Sequence, residues 1–356
     1  MEMIPGLPDD MARECLVRCD YKQLPTVIAV CRSWKSEVQQ PYFRYLRKMA
    51  SAIQTIVVMT QARVLPPDPN SKFRAHPEYR ISVLDPASAE WTLLPPVDVA
   101  GVRYEIPMFC QIVSVGYHIL VFGGLDPSTW DVSRAVFVYS FLTATWWRAT
   151  DMPGVRRSFF GCAADPRERK VYIAGGHDED KNALRTAMVY DLTRNEWTPL
   201  PDMADERDEC KAVFRRGKLY VIGGYGTEMQ GRFQRSAEAF DVLTQLWEKT
   251  DTYLDSDGCP RTCTAASDGD TLYMCRAGHV AVRKGINWQN LCKLPDDVAT
   301  STFVSTWREK LLVIGSAKFG DAQSAYLLDV DSLRWTKLAS SEEFSGHVHS
   351  GCCLHI

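Results

Sequence analysis

The sequence predicts a mainly β protein, a six-bladed β-propeller that follows a small domain of three helices. One observation is a short apolar run closed by two glycines, which recurs at residues 119–124, 171–176 and 219–224. A second is the spacing of Trp147, Trp197 and Trp247, which stand at intervals of 50 residues. A third is the segment 4–48, where apolar residues recur with the period of about 3.6 that is typical of helices.

Each glycine-closed run is expected to form a buried strand. The runs are rich in β-branched and aromatic residues, and they end where the backbone needs φ values that residues other than glycine resist. Tyr190 and Phe240 follow two of the runs, and a tryptophan follows each of them. A glycine pair, a Tyr or Phe, and a Trp in a unit of about 50 residues is the pattern of the kelch repeat, a four-stranded blade. The chain therefore resembles kelch propellers.

Three weaker copies extend the array. Residues 311–316 end in Gly-Ser and precede Trp335, whereas residues 272–275 lack the glycine pair and precede Trp288. The first copy comprises residues 56–59, residues 79–85 and Trp91. Six tryptophans thus mark six blades, a number within the usual range for propellers: Trp91, Trp147, Trp197, Trp247, Trp288 and Trp335.

The first blade lacks a strand of its own before Ile56. Each full blade opens with a run of small and apolar residues, such as 159–164 or 210–214, and residues 350–356 have the same character. An uncovered edge strand is a template for aggregation, so a propeller must cover the edges of its first and last blades. We expect the C-terminal strand, residues 350–356, to close the ring as the innermost strand of the first blade.

The composition favours an ordinary globular protein. Hydrophobic residues make up 46% and charged residues 24% of the chain, with a net charge of -3. Lys and Arg are scattered among Asp and Glu, which argues against nucleic-acid binding. The chain starts without the pattern of a signal peptide, and no run approaches the roughly 20 apolar residues of a membrane span. We expect no membrane association and a location in the cytosol, the nucleus or both.

The cysteines and histidines do not predict a metal site. Most of the twelve cysteines fall in predicted strands, where cysteine behaves as a small buried hydrophobe, and we expect reduced thiols. The cluster of His347, His349, Cys352 and Cys353 has metal-like chemistry, but a strand and its lead-in explain the same residues. The sequence therefore predicts neither a metal nor another cofactor.

Residues 4–48 predict three short helices. Asp9 or Asp10 can cap the first helix. Pro25 can occupy the first turn of the second, which continues through Cys31 and Trp34 to Val38, and Pro41 begins the third. Helices of this total length bury little core of their own, so such a unit usually needs a partner surface.

Three strings in this segment resemble the F-box. They are a Leu-Pro start in residues 4–12, a Val-Cys-x-x-Trp in residues 27–34, and a Pro-x-Phe in residues 41–43. A helical cap on the propeller would explain the periodicity but not these elements at their spacings. The resemblance implies docking onto the Skp-type adaptor of a cullin-based ubiquitin ligase. Matched to the family pattern, the implied adaptor contacts are Leu7, Pro8, Met11, Leu16, Val30, Cys31 and Trp34. Some of these residues must also serve the small core of the F-box itself, and the sequence does not apportion them.

The two parts, an F-box over residues 1–48 and a propeller over residues 49–356, account for nearly the whole chain. Together they are similar to a small subfamily of plant F-box/kelch-repeat proteins, as residues 77–84, 152–162 and 206–213 indicate. Members of that subfamily bind phenylalanine ammonia-lyase or type-B response regulators and direct them to the proteasome. The resemblance implies a substrate receptor for such a client, and the alternative is a kelch scaffold without a role in degradation.

Topology predicts where a client binds. In an up-and-down blade, the loop between the second and third strands and the connection to the next blade lie on one face, because the chain reverses at each turn. Arginines and aromatic residues there suit a protein partner. The alternative for Arg157, Arg207 and Asp208 is a role in salt bridges that brace blades. The candidate client-binding residues are Trp130, Arg156, Arg157, His177, Arg207, Asp208, Tyr225 and Arg261.

Catalysis by this chain is not expected. Kelch propellers include copper oxidases, but the seven histidines show no repeated placement at the loop ends of the blades. A nucleophile elbow, a phosphate loop and a paired-carboxylate motif are also missing from the sequence. The expected mechanism is proximity, in which the chain holds a client near ubiquitin-transferring subunits.

Overall fold

The computed structural model describes residues 3–63, 78–165, 167–266 and 271–356. These residues form six four-stranded antiparallel sheets, one additional two-stranded hairpin and a group of N-terminal helices. The predicted fold class, a six-bladed propeller preceded by a helical domain, is therefore confirmed. Within the described ranges, none of the helices has the length and apolar character needed to cross a membrane.

The helical domain contains four α-helices, where three were predicted. They are α1 (Asp9–Val17), α2 (Leu24–Val30), α3 (Arg32–Gln39) and α4 (Pro41–Met49), with a 3-10 turn at Tyr21–Gln23. The predicted second helix is divided because Cys31 is extended, with φ -159° and ψ 167°, and its Sγ accepts a hydrogen bond from the backbone N–H of Trp34. At the start of α1, Pro8 occupies the cap position without a side-chain hydrogen bond. Asp9 does not cap its own helix but accepts a hydrogen bond from the N–H of Met3.

The strands follow one another around the ring. The strands up to the end of the third blade are β1 (Thr55–Ala62), β2 (Tyr79–Asp85), β3 (Glu90–Leu93), β4 (Val97–Val99), β5 (Val102–Tyr104), β6 (Gln111–Val115), β7 (His118–Phe122), β8 (Val136–Ser140), β9 (Thr145–Arg148), β10 (Gly161–Asp165), β11 (Lys170–Ala174), β12 (Ala187–Asp191) and β13 (Glu196–Pro199). The remaining strands are β14 (Lys211–Arg215), β15 (Lys218–Ile222), β16 (Ala237–Asp241), β17 (Leu246–Thr250), β18 (Thr264–Ala265), β19 (Leu272–Arg276), β20 (His279–Lys284), β21 (Asn287–Lys293), β22 (Thr300–Trp307), β23 (Lys310–Ser316), β24 (Ser324–Asp329), β25 (Arg334–Leu338) and β26 (Val348–His355).

Each blade has its strands in chain order, except the first. Blades 2 to 6 are β6–β9, β10–β13, β14–β17, β18–β21 and β22–β25. Blade 1 has the order β26-β1-β2-β3, so the C-terminal strand is its innermost strand. His355 lies opposite Thr55 and Ser350 opposite Thr60, and the register shifts just beyond Thr60. The paired segment begins two residues earlier than the expected residues 350–356.

The glycine pairs permit a close approach between loops. Gly175 and Gly176 have φ values of 67° and 83°, in the region that favours glycine. A Cβ on Gly176 would lie 2.4 Å from the carbonyl oxygen of Ser158, which is far inside van der Waals contact. Both the conformation and the space therefore require glycine where the second strand of the blade ends.

Tryptophans on the outermost strands join neighbouring blades. In blade 3, the indole N–H of Trp197 donates to the carbonyl of Thr150 in the preceding connection. The same bond recurs in the other blades, from Trp91 to Ala339, Trp146 to Pro95, Trp247 to Pro201, Trp288 to Tyr253 and Trp335 to Lys293.

The prediction for blade 2 was wrong by one residue. Tyr139 lies opposite Trp146, as Tyr190 lies opposite Trp197, so Trp146 is the equivalent residue in this blade. Trp147 points to the other side of β9 and contacts His118 edge to face, with ring centroids 5.4 Å apart.

The two ends of the blades have different roles. The helical domain contacts one end of the blades. Its contacts there include Glu90 at the start of β3, Leu142 in the turn between β8 and β9, and Tyr117 in the turn between β6 and β7. The loops between second and third strands meet the blade-to-blade connections at the opposite end, as the bridge between Ser158 and His177 indicates. We call this opposite end the loop face.

Candidate interaction surfaces

The helical domain and the first two blades share one apolar core. Leu16, Leu24 and Phe43 belong to the same cluster of buried side chains as Ile56 and Phe141. Tyr21 lies at the junction, with its ring centroid 6.0 Å from that of Phe141 in an edge-to-face arrangement. One side of the F-box segment therefore packs on the propeller of the same chain.

A buried arginine reinforces this junction. The guanidinium of Arg47 in α4 donates to the carbonyls of Val17 at 2.8 Å and Cys19 at 2.7 Å in the helical domain. It also donates to Ala52 at 3.0 Å and to Ile356, the last residue, at 3.4 Å. The helices, the connection and the ring-closing strand thus meet at one side chain.

Several apolar residues of the helical domain are uncovered. Met11 is 55% exposed and Val30 57% exposed, although both are large hydrophobic residues. Pro8, at the cap position before α1, is also exposed, as is Cys31 at the break between α2 and α3. We call Pro8, Met11, Val30 and Cys31 the helical patch.

The other three predicted adaptor contacts are less exposed than the helical patch. Leu16 is only 2% exposed, and its place in the shared core excludes the predicted surface contact, because α1 turns that face toward the propeller. Leu7 and Trp34 are half-buried. The indole N–H of Trp34 donates to the carbonyl of Met3 at 2.8 Å, which fixes the N-terminal segment beside α3.

Sequence reasoning missed further exposed residues on the helical domain. Tyr42 and Tyr45 in α4 are exposed and stack on each other, with ring centroids 5.9 Å apart. Met49 at the end of the same helix is also exposed. The signal was available, because Phe43 and Tyr42 are adjacent on a helix and cannot both face the core.

On the loop face, the structure exposes Trp130, Arg156 and Arg261. Trp130 is 51% exposed and has φ 64°, at the tip of the loop between β7 and β8. Arg156 pairs with Glu179 at 3.4 Å, and both side chains are largely exposed, so the pair contributes little stability. These three residues are available to a partner.

Arg157 and Arg207 were predicted as client contacts, and burial rules this out. Arg207 is 0% exposed, and its guanidinium bonds Glu238 at 3.1 Å and the carbonyl of Gly223 at 2.8 Å. Arg157 bonds the carbonyls of Gly175 and Thr186 in the same way, within its own blade. Both arginines brace the loop that follows the glycine pair of their own blade, whereas the stated alternative was salt bridges between adjacent blades.

Asp208, His177 and Tyr225 form a second buried network. His177 is hydrogen-bonded to Ser158 Oγ at 2.7 Å and to Asp208 Oδ2 at 2.8 Å. Tyr225 is buried and its hydroxyl donates to Glu209 at 3.1 Å. The predicted direct contact with a client is therefore wrong for Asp208 and Tyr225, whereas His177 remains partly accessible at the edge of the network. Ser158 itself is buried, so the Ser-His-Asp arrangement connects blades 3 and 4 without an accessible nucleophile.

Three exposed apolar residues on the loop face escaped sequence reasoning. Phe319, in the loop between β23 and β24, is 89% exposed. Val155 and Met229 are also exposed, in the connection before β10 and the loop between β15 and β16. Phe319 could have been found as a large apolar residue between the glycine of a weak repeat and the next strand. With Trp130, these residues give the loop face several separate hydrophobic contacts.

Two of the most deeply buried thiols, those of Cys110 and Cys263, are poorly suited to chemistry. All twelve cysteines are free, and burial raises the pKa of Cys110 and Cys263 to about 12, so both are protonated at neutral pH. Among the described residues, no three His, Cys, Asp or Glu side chains are grouped closely enough to hold a metal ion.

Comparison with known proteins identifies both parts of the chain. The family model of the F-box domain matches residues 4–46, and that of the KLHDC2/KLHL20/DRC7 kelch-repeats domain matches residues 75–283. The F-box/kelch-repeat protein At1g80440 of Arabidopsis thaliana is 48% identical over the full length of both chains. The F-box/kelch-repeat protein At1g15670 of the same plant is 45% identical, again over both full lengths.

A more distant relative shows the same combination of domains. The F-box/kelch-repeat protein SKIP20 of Arabidopsis thaliana is 32% identical over 75% of this chain and 71% of its own length. The tryptophan-linked six-bladed ring, the helical domain on its turn side and these similarities agree. The chain belongs to the F-box/kelch-repeat family of plant proteins.

Proposed function

We propose that this protein is the substrate-recognition subunit of a Skp-cullin-F-box ubiquitin ligase. The observation that carries the proposal is the pair of uncovered surfaces at opposite ends of the propeller, the helical patch and the loop face. A receptor must hold an adaptor and a client at the same time without a clash between them. Surfaces on opposite ends of one ring meet that requirement.

The helical patch would dock the Skp-type adaptor. Met11 and Val30 are exposed in the absence of a partner, and burial of each large apolar side chain contributes about 2 kcal/mol. The F-box lies on the propeller through Leu16 and Phe43, so its other side is free for the adaptor. The adaptor would thus cover the apolar side chains of the helical patch that this chain leaves exposed.

The loop face would bind the client. Trp130 and Phe319 supply exposed aromatic area of the kind that dominates protein interfaces, and Arg156 and Arg261 supply charge. We propose phenylalanine ammonia-lyase or a type-B response regulator as the client, on the resemblance to the plant subfamily, and the cytosol or nucleus as the location. The chain would contribute no catalytic group; it would raise the effective concentration of the client beside the ubiquitin-transferring subunits.

Affinity capture from plant cells with the proteasome blocked tests this function. The wild-type chain should co-purify an adaptor, a cullin and at least one client whose ubiquitination falls when the chain is removed. A Trp130→Asn, Phe319→Asp variant should lose the client and keep the adaptor. Asparagine suits position 130 because it tolerates positive φ.

Two outcomes of the capture experiment separate the alternatives. A client that co-purifies without an adaptor or cullin would favour the non-degradative scaffold. A client whose capture is unchanged in the double variant would show that the loop face is not its binding site.

A further inference from the structure

A groove lies between blade 1, the hairpin of β4 and β5, and the loop between β7 and β8 of blade 2. Its lining includes Leu93, Tyr104 and Ser128 from these three elements. Its volume is about 830 Å³, within the range of roughly 300–1,000 Å³ that is typical of ligand pockets. The loop that contributes Ser128 also carries Trp130. The groove is therefore continuous with the loop face.

The hairpin presents a free strand edge to this groove. A two-residue turn with positive φ at Ala100 and Gly101 joins β4 to β5, so the residues that flank the turn form a hydrogen-bonded pair. Bonded and non-bonded pairs alternate along an antiparallel ladder, so the backbone N–H and C=O of Arg103 point away from β4. Outside the hairpin, neither Arg103 nor Glu105 makes a backbone hydrogen bond within the described part of the chain. Because β4 lies beside β9 of blade 2, β5 is the edge strand.

Two charges of opposite sign stand on this edge. The side chains of Arg103 and Glu105 are exposed, and neither makes an ion pair with any residue that the structure describes. Asp98 lies opposite Arg103 on β4, but its carboxylate accepts a hydrogen bond at 2.9 Å from a backbone N–H of the turn. Residues two positions apart on a strand share a face, so both charges lie on the side opposite to Tyr104. The ring of Tyr104 faces the core, with its centroid 5.0 Å from that of Phe137.

We propose that an extended segment of the client adds to β5 as a further strand, with a basic residue opposite Glu105 and an acidic residue opposite Arg103. The inference rests on the proposed function and gives the client a second contact beside the loop face. In this mode of recognition, backbone hydrogen bonds to the edge supply affinity and alternate side chains supply specificity.

The groove also specifies the other residues of the segment. Leu93 is 40% exposed and lines the groove together with Pro95 and Pro96, so the inward-facing side chains of the added strand should be apolar. An antiparallel arrangement is favoured because antiparallel pairing is the more stable per residue. It places the basic residue of the segment two positions before the acidic one.

A pair of heptapeptides tests this order of charges with the full-length protein. Ser-Val-Lys-Val-Glu-Val-Ser should bind about fivefold more tightly than Ser-Val-Glu-Val-Lys-Val-Ser in fluorescence polarisation, because only the first places opposite charges across from each other. The double variant Arg103→Glu, Glu105→Arg should reverse this preference. Arg194→Glu, Glu196→Arg is the matched control, since it exchanges two exposed charges at the same spacing on blade 3, and it should leave the preference unchanged. Equal binding of both peptides to the wild type, or a preference that survives the exchange at positions 103 and 105, would overturn the proposal.

Pairing through the backbone has a signature of its own. N-methylation at single positions of the first peptide removes one N–H at a time, and only alternate residues of an added strand donate to the neighbouring edge. We expect the affinity to fall at every second position. Equal losses at neighbouring positions would exclude strand addition.

The same proteins test two other occupants of the groove. A dimer of the purified chain that the exchange at Arg103 and Glu105 dissociates, as measured by light scattering, would assign the groove to a second copy. Peptide binding that appears only after residues 64–77 are replaced by a glycine-serine linker would assign it to that segment of this chain. Either result would overturn the proposal.

This inference and the proposed function fail separately. The Arg103→Glu, Glu105→Arg variant should keep the adaptor, because the helical patch lies at the other end of the molecule, and should capture the client more weakly than the wild type. A client captured equally by both proteins would refute strand addition and leave the receptor function intact. Failure of the receptor function would show instead as a wild-type chain that captures no adaptor.

Discussion

Three buried arginines fix the ends of helices and strands in this protein. Arg47 bonds four backbone carbonyls, and Arg157 and Arg207 bond carbonyls next to the glycine pairs of blades 3 and 4. Carbonyls at such ends lack partners in regular structure, and a guanidinium offers five donors in a planar fork. Each arginine therefore satisfies several groups that would otherwise be buried without hydrogen bonds.

Arg47→Met should lower the free energy of unfolding by about 3 kcal/mol or more, because it removes several hydrogen bonds that involve a charged donor and leaves buried carbonyls unsatisfied. Urea denaturation followed by tryptophan fluorescence measures the change. Arg44→Met is the matched control on the same helix, since Arg44 is half-buried, donates to the carbonyl of His355 at 3.2 Å and lies over the ring of Tyr117. Equal losses in the two variants would contradict the special role of Arg47.

Acid sensitivity should depend on His118. Burial, and then the charge of Arg169, lower the pKa of His118 to about 4, and its Nδ1 has no partner. The unfolded chain takes up this proton near pH 6.5, so the folded state loses stability as the pH falls from there toward 4. At pH 5 the loss attributable to His118 is about 2 kcal/mol.

His118→Phe removes this titration and keeps an aromatic ring beside Trp147. The difference in unfolding free energy between pH 7.5 and pH 5 should therefore be smaller in the variant than in the wild type. An identical difference in both proteins would show that His118 takes up its proton without cost.

Exposure of individual side chains was the least predictable property. Arg156 and Arg157 are neighbours, yet one faces solvent and the other is buried, and Trp146 and Trp147 exchange their expected roles. In each case, a shift of one residue in the loop or in the strand register decides which of the two neighbours is buried. Spacing along the chain cannot resolve such a shift, because loop lengths differ between repeats.

Among the elements, the repeating strands were predictable and the irregular ones were not. The strands that contain Ile119, Val171 and Leu219 follow directly from hydrophobic runs closed by glycine pairs. The hairpin of β4 and β5 has no counterpart in the repeat and was not predicted. The break at Cys31 also lacks a local signal, because neither proline nor glycine interrupts the helical pattern there.

The C-terminal strand carries both ring closure and the junction with the helices. Val348, Leu354 and Ile356 are buried, and Ile356 exchanges backbone hydrogen bonds with Gln54. Deletion of residues 347–356 should cost about 6 kcal/mol from these three apolar side chains alone and leave β1 as an open edge. Calorimetry should show a large fall in melting temperature.

A peptide of residues 347–356, added to the truncated protein, should restore part of the lost stability. Restoration would show that the strand acts by pairing with β1 rather than through its covalent connection. An unchanged melting temperature after the deletion would refute the closure of the ring by this strand.

At the scale of the whole molecule, the helical domain has a defined position on the propeller. The shared core, Arg47 and the ion pair of Lys22 with Glu90 connect it to blades 1 and 2. The short connection formed by residues 50–54 leaves little freedom for a hinge. A client on the loop face would therefore be held at a fixed distance from the adaptor, on the far side of the ring.

The fold and the division into two parts were accessible from sequence because both depend on repeated or strongly patterned residues. The packing of the helical domain on the turn side was not, because it depends on contacts between Tyr21, Arg47 and residues far away in the chain. That packing decides which apolar residues of the helices, such as Leu16, are unavailable to a partner and which, such as Met11, remain exposed.

The most direct test of the receptor account is the binding of purified full-length protein to a Skp-type adaptor, measured by size-exclusion chromatography with light scattering. We predict a one-to-one complex for the wild type and for Trp130→Asn. The double variant Met11→Asp, Val30→Asp should form no complex, although its melting temperature should equal that of the wild type. Leu7→Ala, Pro8→Ala should weaken the complex as well. A wild-type chain that binds no adaptor, or a patch variant that binds as tightly as wild type, would contradict the account.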